Sequence, residues 1–379
     1  MKFFRWLSQF YIFNRAVKIQ KRSGLCCSDC NAQTHRHDRY VILTPPAPRL
    51  PGSEDGRAEV TMTTAITARK KKDLVGEVVK DVRVLNLGAG VQSTTLYLMF
   101  AQNQKAIIEQ TDMPWPHIGW IDYAVFADTG DEPVAVYKHL DWLISLNGPE
   151  ILVRSRGKLS ADLMRGTNST RQRFVSIPAY TRLPGQEREG RTRRQCSKEY
   201  KVEVIERTIR RDICGCLPGR RIPKTVNLTQ FVGISIDEYQ RFERLIKRRT
   251  LGTMRAPLSE MRMTRDHCKQ WLEKYGNVPH ETPRSACVYC PMHDEHEWLR
   301  VKAVPEDWKL AVELDTKLRE EGVVVNRNME GEMFLHRTCQ PLVQIDFQKI
   351  IDERKEKELK NPKTLELPFS RDCLGACGL

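Results

Sequence analysis

Long apolar runs are missing from this chain. No stretch approaches the roughly 18 to 20 consecutive apolar residues that span a bilayer, so we expect no membrane partner and a cytoplasmic location. The first residues also lack the long apolar core and the small-residue cleavage site of a secretory signal. The 12 cysteines are too scattered along the chain to indicate a disulfide scaffold.

Two common phosphate-binding signatures are absent as well. No Gly-Lys-Ser or Gly-Lys-Thr follows Gly88, which excludes a Walker loop at this position. Ser93 stands where the dinucleotide-binding pattern Gly-x-Gly-x-x-Gly needs its third glycine. Any phosphate site in this chain must therefore follow a different pattern.

Positive charge is in clear excess. The chain has 379 residues, of which 40% are hydrophobic, so it is long enough for one large or two medium domains with a real core. Its 62 basic residues outnumber its 48 acidic residues, which gives a net charge of +14. This balance favours an anionic partner such as a sulfated nucleotide, ATP or nucleic acid, and it does not choose among them.

The first part of the chain has a different composition from the rest. We predict that residues 1–80 form a disordered or non-native extension. One explanation is that the native protein starts at Met62 and that the residues before it are translated upstream sequence. Residues 1–20 are aromatic and basic, so an amphipathic helix lying on a membrane is an alternative. A small metal site is another alternative, built from Cys26, Cys27, Cys30 and either His35 or His37.

Apolar strands alternate with helical patterns from residue 81 onward, which predicts an α/β fold with a mostly parallel sheet. We divide this part into a nucleotide-binding domain over residues 81–260 and a helical, cysteine-rich region over residues 261–379. Ligands of such sheets lie at the carboxyl ends of the strands. The predicted strands cover residues 83–87, 123–127, 150–153 and 230–235, and the predicted helices cover residues 91–101, 133–145, 198–211 and 264–274.

A strand runs directly into a helix through very small residues at the start of this region. Backbone N–H groups and the positive end of a helix are exposed at such a junction and can hold an anion such as a phosphate. An ordinary strand-to-helix turn is the alternative. The residues we assign to nucleotide binding here are Gly88, Ala89, Gly90, Val91, Gln92 and Ser93.

Asp128, Thr129 and Gly130 follow the second predicted strand and are a second candidate for nucleotide binding. A carboxylate at a strand end can accept a hydrogen bond from a ribose hydroxyl, or hold Mg²⁺ if ATP is the substrate. The alternative is helix capping, because Asp128 to Glu132 would be an acidic first turn in any case.

Basic side chains at two further turns complete the predicted nucleotide site. Arg194 and Lys201 flank a turn that precedes a helix, and such a surface suits phosphate or sulfate. Asp237 and Arg241 follow the strand predicted to end at Ser235 and offer a carboxylate and a guanidinium. The alternatives are a solvated basic face for the first pair and a helix N-terminus for the second.

Cys287 and Cys290 form a Cys-x-x-Cys pair, with His293 and His296 just beyond. This spacing is typical of metal ligands, but it supplies two ligands where a stable site needs about four. A redox pair or a structural pair of cysteines is the alternative.

Residues 82–290 resemble the phosphoadenosine phosphosulfate (PAPS) reductase family of the adenine nucleotide α-hydrolase-like (PP-loop) superfamily. Gly90-Val91-Gln92 is similar to the pyrophosphate loop of this family, where Gln replaces the Asp of the ATP-pyrophosphatase branch. Asp128-Thr129-Gly130 matches a tripeptide found at the next strand end.

The third matching motif is the Cys-Cys, three residues, Lys-Val-Glu-Pro pattern of reductases that carry a metal cluster. Cys196 matches its first cysteine and Lys201-Val202-Glu203 its tripeptide. Ser197 stands in place of the second cysteine and Val204 in place of Pro.

The resemblance implies a Rossmann-like sheet and a metal centre. It places Cys196 beside Cys287 and Cys290 as a third ligand and leaves Cys373 as the fourth in our assignment, with Cys377, Cys339 or Cys268 as alternatives. The implied cofactor is a [4Fe–4S] cluster, and zinc is the alternative, since thiolates suit both metals.

The resemblance also implies the reaction. Cys377-Gly378-Leu379 is similar to the tail that carries the catalytic cysteine of these reductases, so Cys377 is the expected nucleophile on PAPS or the related APS. A thioredoxin-like thiol would then release sulfite. The alternatives are an ATP-dependent adenylating sulfurtransferase acting on tRNA or DNA, and a nucleotide-binding sensor module without catalysis.

Overall fold

A five-stranded parallel sheet forms the centre of the protein in the computed structural model, which describes residues 80–166, 177–182, 189–247, 251–320 and 331–360. Its strands lie in the order β3-β2-β1-β6-β7, and every pairing is parallel, as the α/β prediction requires. They are β1 (Lys80–Leu87), β2 (Tyr123–Asp128), β3 (Glu150–Ser155), β6 (Val226–Val232) and β7 (Thr253–Arg255), with β4 and β5 described below.

Helices connect these strands and cover both faces of the sheet. Leu85 and Phe126 on one face pack with Leu96, Phe100 and other side chains of the first two helices. Val84 and Val125 point to the other face, where they pack with Ile205 of the fourth helix. The helices of this part are α1 (Val91–Glu109), α2 (Val134–Ser145), α3 (Leu159–Arg165), α4 (Glu203–Thr208), α5 (Tyr239–Ile246), α6 (Pro257–Glu260) and α7 (Arg265–Trp271).

A second core lies beside the sheet and draws on both predicted regions. Tyr200 packs with Tyr289, Trp298 and Phe347, all fully buried. Around it lie α8 (Glu295–Ala303), α9 (Pro305–Lys317), α10 (Phe347–Lys360) and a small antiparallel sheet in the order β5-β4-β8, whose strands are β4 (Tyr180–Arg182), β5 (Glu189–Arg191) and β8 (Glu332–Phe334). All described residues belong to one compact unit, Asp73–Leu379, and the predicted boundary at residue 260 stays a prediction.

The predicted elements of the main sheet differ from the observed ones mainly at their ends. The fourth predicted strand, residues 230–235, is β6 and lies earlier, at Val226–Val232. The helix predicted over residues 198–211 is a continuous helical stretch in which π-helical turns, Ser197–Val202 and Ile209–Ile213, flank α4. The helix predicted over residues 264–274 is α7 followed by another π-helical turn, Leu272–Gly276.

Two predictions fall outside the described residues. They are the N-terminal extension up to residue 79, with Cys26, Cys27 and Cys30, and the tail with Cys373 and Cys377. Within the part of the chain that is described, no helix is both long and apolar enough to cross a membrane.

Candidate functional site

The junction of β1 with α1 forms one side of a cleft at the carboxyl end of the sheet. Ala89 adopts a left-handed conformation with φ of 54°, and this bend turns the chain into the helix. The Gly90 N–H donates to Ser93 Oγ at 3.1 Å, and the Thr94 N–H donates to the Gly90 carbonyl at 2.8 Å. The amides of the first helical turn have no partner earlier in a helix, and Gly90 through Ser93 line the cleft.

Gly233, just after β6, allows the chain to pass close to the first turn of α1. A Cβ atom on Gly233 would lie 2.7 Å from both Cα and N of Ser93. Because these are backbone atoms of α1, the neighbour cannot move aside by changing a rotamer. Glycine is therefore required where the end of β6 passes the first turn of α1, and Gly233 also lines the cleft.

Gln92 connects α1 to the loop that follows β6. Its Nε2 donates to Ser235 Oγ at 3.0 Å, and both residues are buried. The sequence assigned Gln92 to nucleotide binding. In the structure it lines the cleft, but its side-chain amide is engaged with Ser235, so it positions the two loops relative to one another.

Three arginines from separate segments line the cleft. Arg241 comes from α5, Arg265 from the start of α7, and Arg284 from the segment before the Cys-x-x-Cys pair. One lining carboxylate, Glu238, pairs with Arg241 and, at 3.7 Å, with Arg265. Arg284 pairs at 3.6 Å with Asp294, which does not line the cleft. The lining residues themselves carry a net positive charge, which suits an anionic ligand.

Ser285 lies opposite the first turn of α1. Its Oγ is buried and has no hydrogen-bond partner among the described residues. The Ser285 N atom is 3.7 Å and the Pro283 carbonyl oxygen 3.8 Å from the position of a Cβ on Gly90. A buried hydroxyl without a partner is costly, and it is a group that a bound ligand could satisfy.

The predicted Asp128 loop closes on itself. Asp128 Oδ1 accepts from the Gly130 N–H at 2.8 Å and from the Tyr137 hydroxyl at 2.9 Å. Burial, together with the charge and hydrogen bond of Asp128, raises the pKa of Tyr137, so this phenol stays a donor. Neither contact caps α2, which begins at Val134 after an N-cap at Pro133 and has no acidic residue in its first turn. Asp128 therefore stabilises the loop before the helix, and the capping alternative is wrong.

A second pocket adjoins the cleft, and three of the predicted metal ligands line it. Cys196, Cys287 and Cys290 line it, although Cys196 is distant from the other two in sequence. Three residues that the sequence assigned to the nucleotide, Thr129, Arg194 and Lys201, line this pocket as well. Ala286 and Cys290 line both the pocket and the cleft, so the two cavities share a wall.

Asp131 holds the Cys-x-x-Cys turn against the end of β2. The Tyr289 hydroxyl donates to Asp131 Oδ2 at 2.7 Å, and the Val288 N–H donates to the Asp131 carbonyl at 2.9 Å. Within the turn, the Cys290 N–H donates to the Cys287 carbonyl at 2.9 Å. The loop after β2 therefore fixes where the two thiols lie.

Cys287 lies beside a buried ion pair. Its Sγ is 3.2 Å from Thr129 Oγ1, which also donates to Glu132 Oε1 at 3.2 Å. Lys201 Nζ lies 3.0 Å from the same Glu132 oxygen, and the Glu132 side chain has no exposed surface. Burial, reinforced by the negative charge of Glu132, raises the pKa of Cys287 well above that of an ordinary thiol. Cys287 is therefore a neutral thiol in this environment.

The described cysteines do not complete a metal site by themselves. Across the described ranges, no group of three or more His, Cys, Asp or Glu side chains is arranged to hold a metal ion. Three thiols of the right type line one pocket, and the assigned fourth ligand, Cys373, lies outside the described residues. The donor set present is thus incomplete for the predicted cluster.

The structure divides the predicted site residues into groups. Gly90, Val91, Gln92, Ser93 and Arg241 line the cleft, whereas Thr129, Arg194, Lys201, Cys196, Cys287 and Cys290 line the pocket. Gly88 and Ala89 are buried at the end of β1, and Gly130 adopts a positive φ of 76° beside Lys158. Asp237 lies in the 3₁₀ turn Ile236–Glu238 before α5 and accepts from the Arg265 N–H, at the start of α7, at 3.2 Å. Cys373 and Cys377 lie outside the described residues.

Several residues of the site carried no clear signal in the sequence. Gly233 follows a strand, as many loop glycines do, and Arg265 is one arginine among many. Ser285 sits in Pro-Arg-Ser-Ala directly before the Cys-x-x-Cys pair, and that proximity was the one available signal. From the sequence alone, Glu132 is interpreted as an acidic residue of a helix N-terminus. Its ion pair with Lys201 is seen only in the structure.

Similarity to known proteins adds no constraint to this geometry. Comparisons of the chain with protein-family models, with curated proteins and with solved structures found no match.

Proposed function

We propose that this protein is a PAPS-reductase-like enzyme, which binds an adenine sulfonucleotide and carries out thiol-dependent reduction or sulfur transfer. The observation that supports this most is the shared wall of Ala286 and Cys290 between an arginine-lined cleft and a pocket with three thiols. An activated sulfonucleotide needs both an anion site for its phosphate and sulfur chemistry close by.

The cleft offers two kinds of anion-binding group on opposing sides. The first-turn amides of α1 and the positive end of its dipole lie on one side. The guanidinium groups of Arg265 and Arg284 can form charge-assisted hydrogen bonds with phosphate or sulfate oxygens. Rossmann-like binding at the carboxyl ends of β1 and β6 is part of this proposal.

The pocket is the proposed place of the metal centre. We propose Cys196, Cys287 and Cys290 as three ligands of a [4Fe–4S] cluster, or of zinc, with Cys373 as the fourth. Thiolate ligands must lose their protons on metal binding, and the buried environment of Cys287 opposes that loss. Metal binding here would therefore release protons and strengthen as the pH rises.

The proposed chemistry uses the tail thiolate of Cys377. Its sulfur attacks the sulfonate sulfur, the S–O bond to the nucleotide breaks, and the nucleotide leaves with the bonding electron pair. The product on the enzyme is an S-sulfonate. A thioredoxin-like dithiol then attacks the cysteine sulfur, releases sulfite and forms a mixed disulfide, which its second thiol resolves. The dithiol is oxidised and the sulfonate is reduced by two electrons.

Turnover assays test this function directly. Anaerobically purified full-length protein with a thioredoxin system should release sulfite from PAPS or APS, and Cys377→Ala should abolish the release. Cys214→Ala is the matched control, because Cys214 is partly buried against the sheet face that carries Val84 and Val125 and lines neither cavity. Turnover of ATP to AMP stimulated by nucleic acid would instead support an adenylating sulfurtransferase, and tight nucleotide binding without turnover would support a sensor.

Binding measurements test the cleft separately from the chemistry. Arg265→Gln should weaken nucleotide binding about tenfold, since a hydrogen bond to a charged group is lost. Arg210→Gln is the control, because Arg210 is exposed, pairs with Glu206 and lines neither cavity. If Arg265→Gln binds PAPS and ATP as tightly as the control variant does, the assignment of the cleft is contradicted.

Iron, zinc and acid-labile sulfide analysis of wild type and Cys196→Ala tests the metal centre.

A further inference from the structure

A chain of hydrogen bonds connects the first helical turns of α1 with the protein surface. Thr94 Oγ1 lies 2.9 Å from His139 Nε2, and His139 Nδ1 lies 2.9 Å from His280 Nε2. Thr94 immediately follows the cleft-lining Ser93, His139 belongs to α2, and His280 lies after the π-helical turn that ends at Gly276. Three segments distant in sequence thus meet through two ring nitrogens of one histidine.

The environment of His139 keeps this chain in a fixed arrangement. His139 has no exposed surface, and its ring contacts those of Trp142 and His280 with centroid separations of 5.3 and 5.1 Å. Burial, with a smaller contribution from His280, lowers the pKa of His139 to about 4. A neutral imidazole has one N–H and one acceptor nitrogen, so His139 must donate on one side and accept on the other.

The segment that His280 begins carries one wall of the cleft. Residues 277–294, all of them described, form no helix or strand, so side-chain contacts rather than a backbone ladder hold much of this segment in place. Four positions after His280 the chain supplies Arg284, then Ser285 and Ala286, to the cleft. Ser285 is close enough to Gly90 that a small displacement of the segment would change the width of the cleft.

We propose that His139 and His280 are positioning residues, which hold residues 280–286 against the first turn of α1 and thereby preorganise the cleft. The consequence for ligand binding rests on the proposed nucleotide function, whereas the anchoring itself does not. Neither histidine lines the cleft. The two histidines affect the cleft through Thr94 of α1 on one side and through the backbone of residues 280–284 on the other.

Substitution of His280, the exposed member of the pair, tests the positioning role most directly. His280→Ala should increase amide hydrogen exchange of residues 281–286 and weaken binding of PAPS or ATP about tenfold, because one link of the chain is lost. His280→Gln retains an amide that can hydrogen-bond to His139, so it should recover most of the lost affinity. His117→Ala is the control, since His117 is also exposed and lies outside the chain of hydrogen bonds.

A double-mutant cycle distinguishes an anchor from two independent contacts. His139→Ala alone should resemble His280→Ala, and the two substitutions together should weaken binding little more than either one. Where His139→Ala fails to fold, the pair His280→Ala and His280→Gln still decides the question. Unchanged exchange and unchanged affinity in a folded His280→Ala protein would overturn the proposal. If wild type binds neither PAPS nor ATP, the proposed function fails, and hydrogen exchange still tests the anchor.

Discussion

Among individual residues, Gly233 is more restricted than the glycine of the predicted phosphate loop. A Cβ on Gly233 would meet backbone atoms of Ser93 at 2.7 Å, whereas a Cβ on Gly90 would have no neighbour closer than 3.7 Å. Gly233→Ala should therefore destabilise the fold by about 2 kcal/mol through overpacking. Gly90→Ala should cost less than about 1 kcal/mol, the range for alanine at a helix N-cap. Urea denaturation of both variants measures the difference, and equal costs would show that β6 and α1 are farther apart than the structure has them.

The ion pair of Glu132 and Lys201 makes a second residue-level prediction. Lys201→Met leaves the buried Glu132 charge without its cation and should destabilise the fold by about 3 kcal/mol. Adding Glu132→Gln removes that charge and should restore most of the loss. Lys105→Met is the control, since the exposed pair of Lys105 with Glu109 is worth less than about 0.5 kcal/mol. Denaturant unfolding of the single and double variants checks the cycle, and strictly additive costs would contradict a coupled pair.

Between secondary-structure elements, the bond from Gln92 to Ser235 joins α1 to the loop after β6. Ser235→Ala leaves a buried amide without its acceptor and should lower the free energy of unfolding by about 1 to 2 kcal/mol. The double variant Gln92→Met, Ser235→Ala removes both polar partners and should be more stable than Ser235→Ala alone. Ser145→Ala, at an exposed serine of α2, should change stability by less than about 0.5 kcal/mol. Thermal and denaturant unfolding measure these changes in stability. A double variant less stable than Ser235→Ala would contradict a stabilising hydrogen bond between Gln92 and Ser235.

Local patterns were sufficient to predict four of the five strands of the main sheet, but not β7, which has three residues, and not the strands of the small sheet. The apolar runs of β1, β2 and β3 predicted strands within a few residues of the observed ends. β6 was predicted too late because Gly233 and Ile234 continue the apolar run after the strand has ended at Val232. β4, β5 and β8 have three residues each, which is too short for an alternation to be recognised.

Across the whole molecule, the site depends on contacts that no local pattern encodes. Arg241, Arg265 and Arg284 come to one cleft from three segments, and of these the sequence analysis assigned Arg241 to the nucleotide site. The glycine loop and the Cys-x-x-Cys pair were recognisable because their spacing is itself the signal. The Thr94–His139–His280 chain had no such spacing, since its members come from three separate segments and none belongs to a motif.

Two buried histidines, His139 and His293, make the stability of the fold depend on pH. Burial lowers the pKa of both His139 and His293 to about 4, whereas in the unfolded chain each returns to about 6.5. Below about pH 6.5 the unfolded state therefore binds protons that the folded state does not bind. The free energy of unfolding falls as the pH is lowered from about 6.5 to about 4.

Between about pH 6.5 and about pH 5 the two groups together should remove about 3 kcal/mol of the free energy of unfolding. Urea denaturation at several pH values measures this slope, and His139→Asn with His293→Asn should make it shallower even though the variant is less stable overall. The control is His117→Ala, which replaces an exposed histidine and leaves both buried rings in place. A wild-type slope near zero over this range would mean that both rings are hydrated or charged in the folded protein, and the neutral His139 that the anchor requires would be lost with it.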